Sequence, residues 1–169
     1  MALHTYSPKD VSITIAGLHT IDGYVDGTFV KIIKNTKPFE TQVAMDGTRE
    51  RLYHFDDGYN LELTLAQSST SNNILSALHN IDIVTRAAKF ILMLRDGSGQ
   101  TTFFSATTWI ESIPDVTFSN GMESRVWTLG CSDAALQIAG NGATSAVEDV
   151  LMTGAALLPV FKEFGLIGG

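Results

Sequence analysis

Tyr59-Asn-Leu-Glu-Leu-Thr-Leu-Ala-Gln67 opens the stretch that decides the fold, which runs on to Cys131. Leu61, Leu63 and Leu65 alternate with polar or small residues, the period of a half-buried strand, because successive side chains point to opposite faces. The Ser/Thr/Asn cluster from Ser68 to Asn73 breaks that strand and supplies helix N-caps. Ile74, Leu78, Ile81 and Val84 then recur as one apolar helical stripe. The helix is firm to about Asn80, and the β-branched run Ile81–Thr85 is open between helix and loop. Phe90-Ile-Leu-Met-Leu-Arg95 is a second strand, closed by the turn Asp96-Gly97-Ser98-Gly99. Thr101–Ile110 and Glu123–Cys131 follow, the latter alternating Arg125, Trp127, Leu129 and Cys131 against Ser124, Val126 and Thr128. One helix set against antiparallel strands is the reading: α+β, mainly β.

Upstream, Val11–Ile15, Thr28–Lys34, Phe39–Met45 and Arg49–Phe55 read as strands separated by the glycine turns Asp22-Gly23, Asp26-Gly27, Asp46-Gly47 and Asp56-Asp57-Gly58. Residues 1–10 read as an arm and 11–139 as the β domain. Residues 140–169 read as a C-terminal helical extension, opened by the capping box Ser145-Ala-Val-Glu148. Val147, Val150, Leu151, Gly154, Leu157, Leu158 and Phe161 follow at helical spacing, and Pro159 should end or kink that helix. Such a stripe needs burial on its own domain or on a neighbour.

At 169 residues with 44% apolar content the chain supports one real core. Its formal charge of −7 makes it a poor binder of nucleic acid, since phosphate affinity is carried by Lys and Arg. That charge is uneven. Residues 28–55 hold Lys31, Lys34, Lys37, Arg49 and Arg51 against Glu40, Asp46 and Glu50, a net +2 that leaves −9 elsewhere. This segment reads either as a solvated hairpin or as one that docks on an acidic face of another copy. Neither a signal-peptide pattern nor an apolar tract of membrane-spanning length is found, so the expectation is a soluble protein made in the cytoplasm.

Chemistry leaves little trace. His4, His19, His54 and His79 are scattered without metal-ligand spacing, and Asp56-Asp57-Gly58 lacks the register of a calcium loop. Gly140-Asn-Gly142 reads as a linker, and Cys131 as a buried, inert thiol on the Trp127 face. No catalytic residue, metal site or cofactor is predicted, and the expectation is a protein that is not an enzyme.

Asp96-Gly97-Ser98-Gly99-Gln-Thr-Thr-Phe103, Trp109-Ile-Glu-Ser-Ile-Pro114, Phe118 and Arg125-Val-Trp127-Thr-Leu, with the helix Ser71–Asn80 before Asp82, resemble the tail tube proteins of contractile-tailed bacteriophages. The likeness spans about residues 8–138. It implies a pair of sheets, as an antiparallel sandwich or barrel-forming set, with one flanking helix. Hexameric rings would stack into a tube inside a contractile sheath. The tube would surround the tape-measure protein, meet baseplate and tail terminator proteins, and pass DNA without binding it. The location implied is the virion tail, after synthesis in the host bacterium, with no membrane partner.

On that reading Glu40, Asp46, Glu50 and Glu62 are the pool for an acidic lumen lining. Lys31, Lys34, Arg49 and Arg51 are expected at contacts between subunits, and Ile74 and Leu78 as the helix's core residues. Two alternatives stand beside it. One is a tube protein of a non-phage contractile injection system. The other is a small β-sandwich ligand-binding module, which would need an exposed aromatic platform drawn from Tyr53, Tyr59 and Trp109.

Overall fold

The computed structural model of the chain describes residue 3 and residues 5–140. After a short 3-10 helix at Pro8–Asp10, nine strands and one α-helix follow in the order β1 (Val11–Ile15), β2 (His19–Thr20), β3 (Val30–Lys34), β4 (Phe39–Val43), β5 (Arg49–Tyr53), β6 (Tyr59–Ala66), α1 (Ser71–Thr85), β7 (Phe90–Asp96), β8 (Thr102–Ser112) and β9 (Ser124–Gln137). Seven strands form one antiparallel sheet in the order β2-β1-β7-β8-β9-β6-β3. The hairpin β4-β5 pairs only with itself. The mainly β, antiparallel reading with one flanking helix stands, with the strands divided between one seven-stranded sheet and a separate two-stranded hairpin. The expected C-terminal helical extension lies outside the described residues.

Alternation decides which face is dry. Leu61, Leu63 and Leu65 of β6, Leu92 and Leu94 of β7, Phe103 of β8, and Trp127, Leu129 and Cys131 of β9 are buried together with Ile13 and Ile15 of β1. Each such side chain contributes about 1.5–3 kcal/mol on full burial, so this one face supplies most of the stability. The two ends of the sheet approach each other through residues 19–24. Ile21 N–H donates to the Ile13 carbonyl, while Ala66 N–H donates to the Gly23 carbonyl and Tyr24 bridges to Leu65. One segment thus joins the edge beside β1 to the edge beside β6, which requires the sheet to curl around its apolar face.

That seam is locked to the start of α1. Ser71 is fully buried. Its hydroxyl donates to Asp22 Oδ1 at 3.0 Å and accepts from Asp22 N–H at 3.1 Å, with His19 Nε2 at 3.0 Å. Ser69 Oγ donates to the Asp22 carbonyl at 2.6 Å and accepts from Ser71 N–H. Gly23 sits at φ +73°, and a Cβ there would lie 2.5 Å from the Ser69 Cβ, so only glycine fits this crossing.

The structure settles one open point about α1 and corrects another. The helix runs to Thr85 and stops where Arg86 turns left-handed, its N–H donating to the Asp82 carbonyl. The β-branched run stays helical because Thr85 Oγ1 donates to the Ile81 carbonyl and Asp82 Oδ1 accepts from Ala88 N–H, satisfying both ends of the last turn. The buried face also differs: Leu75 is fully buried, whereas Ile81 and Val84 of the expected stripe are 51% and 82% exposed. Ile74 and Leu78 are partly buried and pack against the core.

Candidate interaction surface: the projecting hairpin

The β4-β5 hairpin stands in solvent on both faces. All of its residues are exposed except Leu52, which is half-buried. The turn is set by Asp46, whose Oδ1 accepts from Thr48 N–H at 2.9 Å, and by Gly47 at φ +84°. That hydrogen bond holds the Asp46 carboxyl below the usual carboxylate range. At the base, Asp56 accepts from the Thr36 hydroxyl and from Gly58 N–H, which holds its carboxyl low as well. Lys34 Nζ donates to the Asp56 carbonyl at 2.8 Å and lies 4.5 Å from the Tyr59 ring centroid.

Cross-strand register sorts the hairpin into two chemically distinct faces. Phe39↔Tyr53, Thr41↔Arg51 and Val43↔Arg49 share one side. There the Phe39 and Tyr53 rings are 5.4 Å apart, Phe55 stands 6.4 Å from Tyr53, and the Arg51 guanidinium lies 4.4 Å over Phe39. Glu40↔Leu52 and Gln42↔Glu50 occupy the other side, where His54 Nε2 reaches Glu40 Oε2 at 3.1 Å. One face is aromatic and basic, the other acidic. An apolar surface held out in water in this way makes the hairpin a candidate interaction site.

The sequence-predicted residues fall out as follows. Glu40 and Glu50 share the acidic face, Arg49 and Arg51 share the opposite face, and Asp46 sits at the tip. Glu62 lies apart on β6, on the side away from the core, directly opposite Lys31 of β3. Lys34 is engaged within its own chain at the hairpin base. Tyr53, Tyr59 and Trp109 share no platform: Tyr53 is on the hairpin, Tyr59 packs edge-on to Phe103 at the core, and Trp109 covers Gly130 on the sheet's opposite face.

Cys131 is buried with Thr108 Oγ1 3.6 Å from its Sγ, and burial pushes its thiol up from the ordinary value. Ser71, His19 and Asp22 are the residue types of a nucleophilic triad, but the carboxylate bonds the serine rather than the imidazole and Ser71 is sealed from solvent. Among the described residues no cluster of three or more His, Cys, Asp or Glu could hold a metal, and no helix is long and apolar enough to cross a membrane.

A residue missed by the sequence reading is Arg125. It was legible only as one member of an apolar strand face, where an arginine is out of place. It is 7% exposed; Nη1 donates to the Ser124 carbonyl and Nη2 to the Thr117 carbonyl, both at 3.1 Å, with the Phe118 ring 5.6 Å away.

The fold is similar to that of chains in contractile injection and gene-transfer particles. The tube-terminating cap of the anti-feeding prophage matches with a TM-score of 0.58 at 13% identity, covering 81% of this chain and 93% of that one. A chain of the sheath–tube complex of the extracellular contractile injection system PVC in its extended state matches at 0.52 and 12%, covering 79% and 91%. A chain of the native gene transfer agent virion matches at 0.52 and 13%, covering 79% and 100%. The chain belongs to the family of Structural protein ORF10 of Pseudomonas phage KPP10, with which it shares 32% identity over 144 residues, 81% of this chain and 83% of that protein. No family model matches.

Proposed function

We propose that this protein is a self-assembling virion subunit that forms the inner tube of a contractile phage tail, as hexameric rings stacked within a sheath, and that it is not an enzyme. The observation that carries this reading is the hairpin. Phe39, Val43, Tyr53 and Phe55 stand 48%, 61%, 61% and 81% exposed in the single chain, an arrangement that costs solvation unless another copy covers it. Kinship with a phage structural protein, and a fold shared with a sheath–tube subunit, support the same assignment.

In such a tube the basic, aromatic face of the hairpin meets a neighbouring subunit, and the acidic face with Glu40 and Glu50 is left for the bore. A bore of this sign repels phosphate and lets DNA pass without being held. Sheath, tape-measure, baseplate and terminator proteins are then its partners. The test is electron microscopy of the purified protein at high concentration. Stacked rings support the reading, and a strictly monomeric particle overturns it.

A tube terminator is the second reading. It is favoured by the fold likeness to two terminators, at TM-scores of 0.58 and 0.53, which are no lower than that to the sheath–tube complex. Copy number in the virion separates them, because a tube subunit repeats along the tail and a terminator caps it once.

A further inference from the structure

We infer that the cleft over Arg125 receives the acidic-apolar segment around Glu148 and Asp149 from a second copy of this chain. The cleft, about 360 Å³, opens between α1 and the loop after β8, with Arg125 and Trp127 at its floor, Ser76 and His79 on the helix side, and Ile113 and Phe118 on the loop side. Trp127 is held in place as Nε1 donates to Asn72 Oδ1 at 2.9 Å. Arg125 brings a full positive charge into this enclosure with two backbone carbonyls and one ring for company, and no carboxylate among the described residues. A charge desolvated without a counter-charge is strongly unfavourable, so the site calls for an anionic ligand. The loop wall adds apolar area: Ile113, Val116 and Phe118 are 52%, 63% and 77% exposed. A carboxylate flanked by aliphatic side chains matches both demands.

This chain carries such a segment: Val147-Glu-Asp-Val-Leu151. It belongs to the 29 residues that follow Gly140, which continue from the end of β9 remote from the cleft. Arg125 begins β9, and the described chain leaves beyond the far end of that strand, where Ala139 N–H donates to Thr101 Oγ1. From Arg125 to Gln137 the strand runs about 40 Å. The extended chain from Gly140 to Asp149 covers at most about 32 Å, starting from the wrong end. A copy stacked end to end along β9 removes the mismatch, because its cleft then stands beside the departing segment of the first. The contact is head-to-tail, joins different surfaces, and propagates along an axis.

The inference rests on the self-assembly reading, and the test separates the two. Full-length chains carrying Ser76→Cys are mixed with chains carrying Val150→Cys under mild oxidation, at concentrations that give particles. A disulfide-linked dimer forms only on mixing. Glu148→Gln with Asp149→Asn lowers its yield about tenfold or more, and Arg125→Met does the same. Particles without the cross-link, or a yield unmoved by the charge substitutions, overturn this inference alone. So does a doubly substituted chain that links within itself at high dilution. A protein that stays monomeric at every concentration overturns both readings.

Discussion

Leu75→Ala is expected to unfold the protein far more readily than the same change at Leu78, and Val84→Ser is expected to do almost nothing. Leu75 is 0% exposed and enters the core from α1, while Leu78 is partly buried at its margin and Val84 is 82% exposed. Truncating leucine to alanine removes the equivalent of about three methylenes, worth about 2.4 kcal/mol at about 0.8 each. The void adds a further term, because neighbouring strands relax only partly, so the total for Leu75 falls in the range of about 2–5 kcal/mol. Leu78 forfeits a fraction of that, about 1 kcal/mol. Val84 lies within about 0.5 kcal/mol of zero. Urea unfolding at a concentration too low for assembly reads these values. With a slope of about 2 kcal/mol per molar, the Leu75→Ala midpoint drops by about 1–2.5 M at unchanged slope. A Leu75→Ala midpoint no lower than that of Val84→Ser would mean that α1 does not clamp the sheet through this residue.

Three further outcomes follow from the hairpin and the seam. Arg49→Glu with Arg51→Glu reverses the basic face and should weaken assembly while leaving the monomer folded, more so at low salt; since one exposed pair is worth only about 0–1 kcal/mol, the double change is the informative one, read by sedimentation. The Tyr24 hydroxyl is buried without a hydrogen-bond partner among the described residues, so Tyr24→Phe should leave the melting temperature unchanged or raise it. Burial, with Asp22 adding to it, pushes that phenol up to about 12. Because the folded value exceeds the unfolded one near 10, stability should fall as pH rises from about 10 to about 12, and Tyr24→Phe should lose this dependence. Asp56 behaves oppositely: its folded value is below the ordinary 3.8, so the order it gives the hairpin base is present above that pH and is lost as pH falls through the folded value. Amide exchange of Gly58 across that window should show the loss, and Asp56→Asn should abolish the pH response.

The central strands were legible because they alternate. β6 and β7 lie within a residue of the sequence reading, since the leucines of both face one core with polar or solvated side chains between. β9 was not fully legible. Ser132-Asp-Ala-Ala-Leu-Gln137 has little intrinsic preference for a strand, and only pairing with β8, from Thr107↔Ser132 to Thr102↔Gln137, carries it on. The helix was found, and Ile74 and Leu78 of its expected stripe pack against the core, but the second half of the stripe does not. Ile81 and Val84 fit the stripe by spacing, yet they stand 51% and 82% exposed while Leu75 takes the fully buried position. In the hairpin, composition showed an excess of bases but not their segregation from Glu40 and Glu50, which depends on cross-strand register. The seam through Asp22, Ser69 and Ser71 joins residues about fifty apart, and no local pattern announces it.

Electron microscopy of the purified full-length protein at high concentration, paired with sedimentation over a range of salt, tests the central claim most directly. The account predicts rings of six subunits that stack into a hollow tube, with the Phe39–Tyr53 hairpin covered at a contact between copies. A single species of 18.2 kDa at every concentration and salt, with the hairpin aromatics still in solvent, would contradict it.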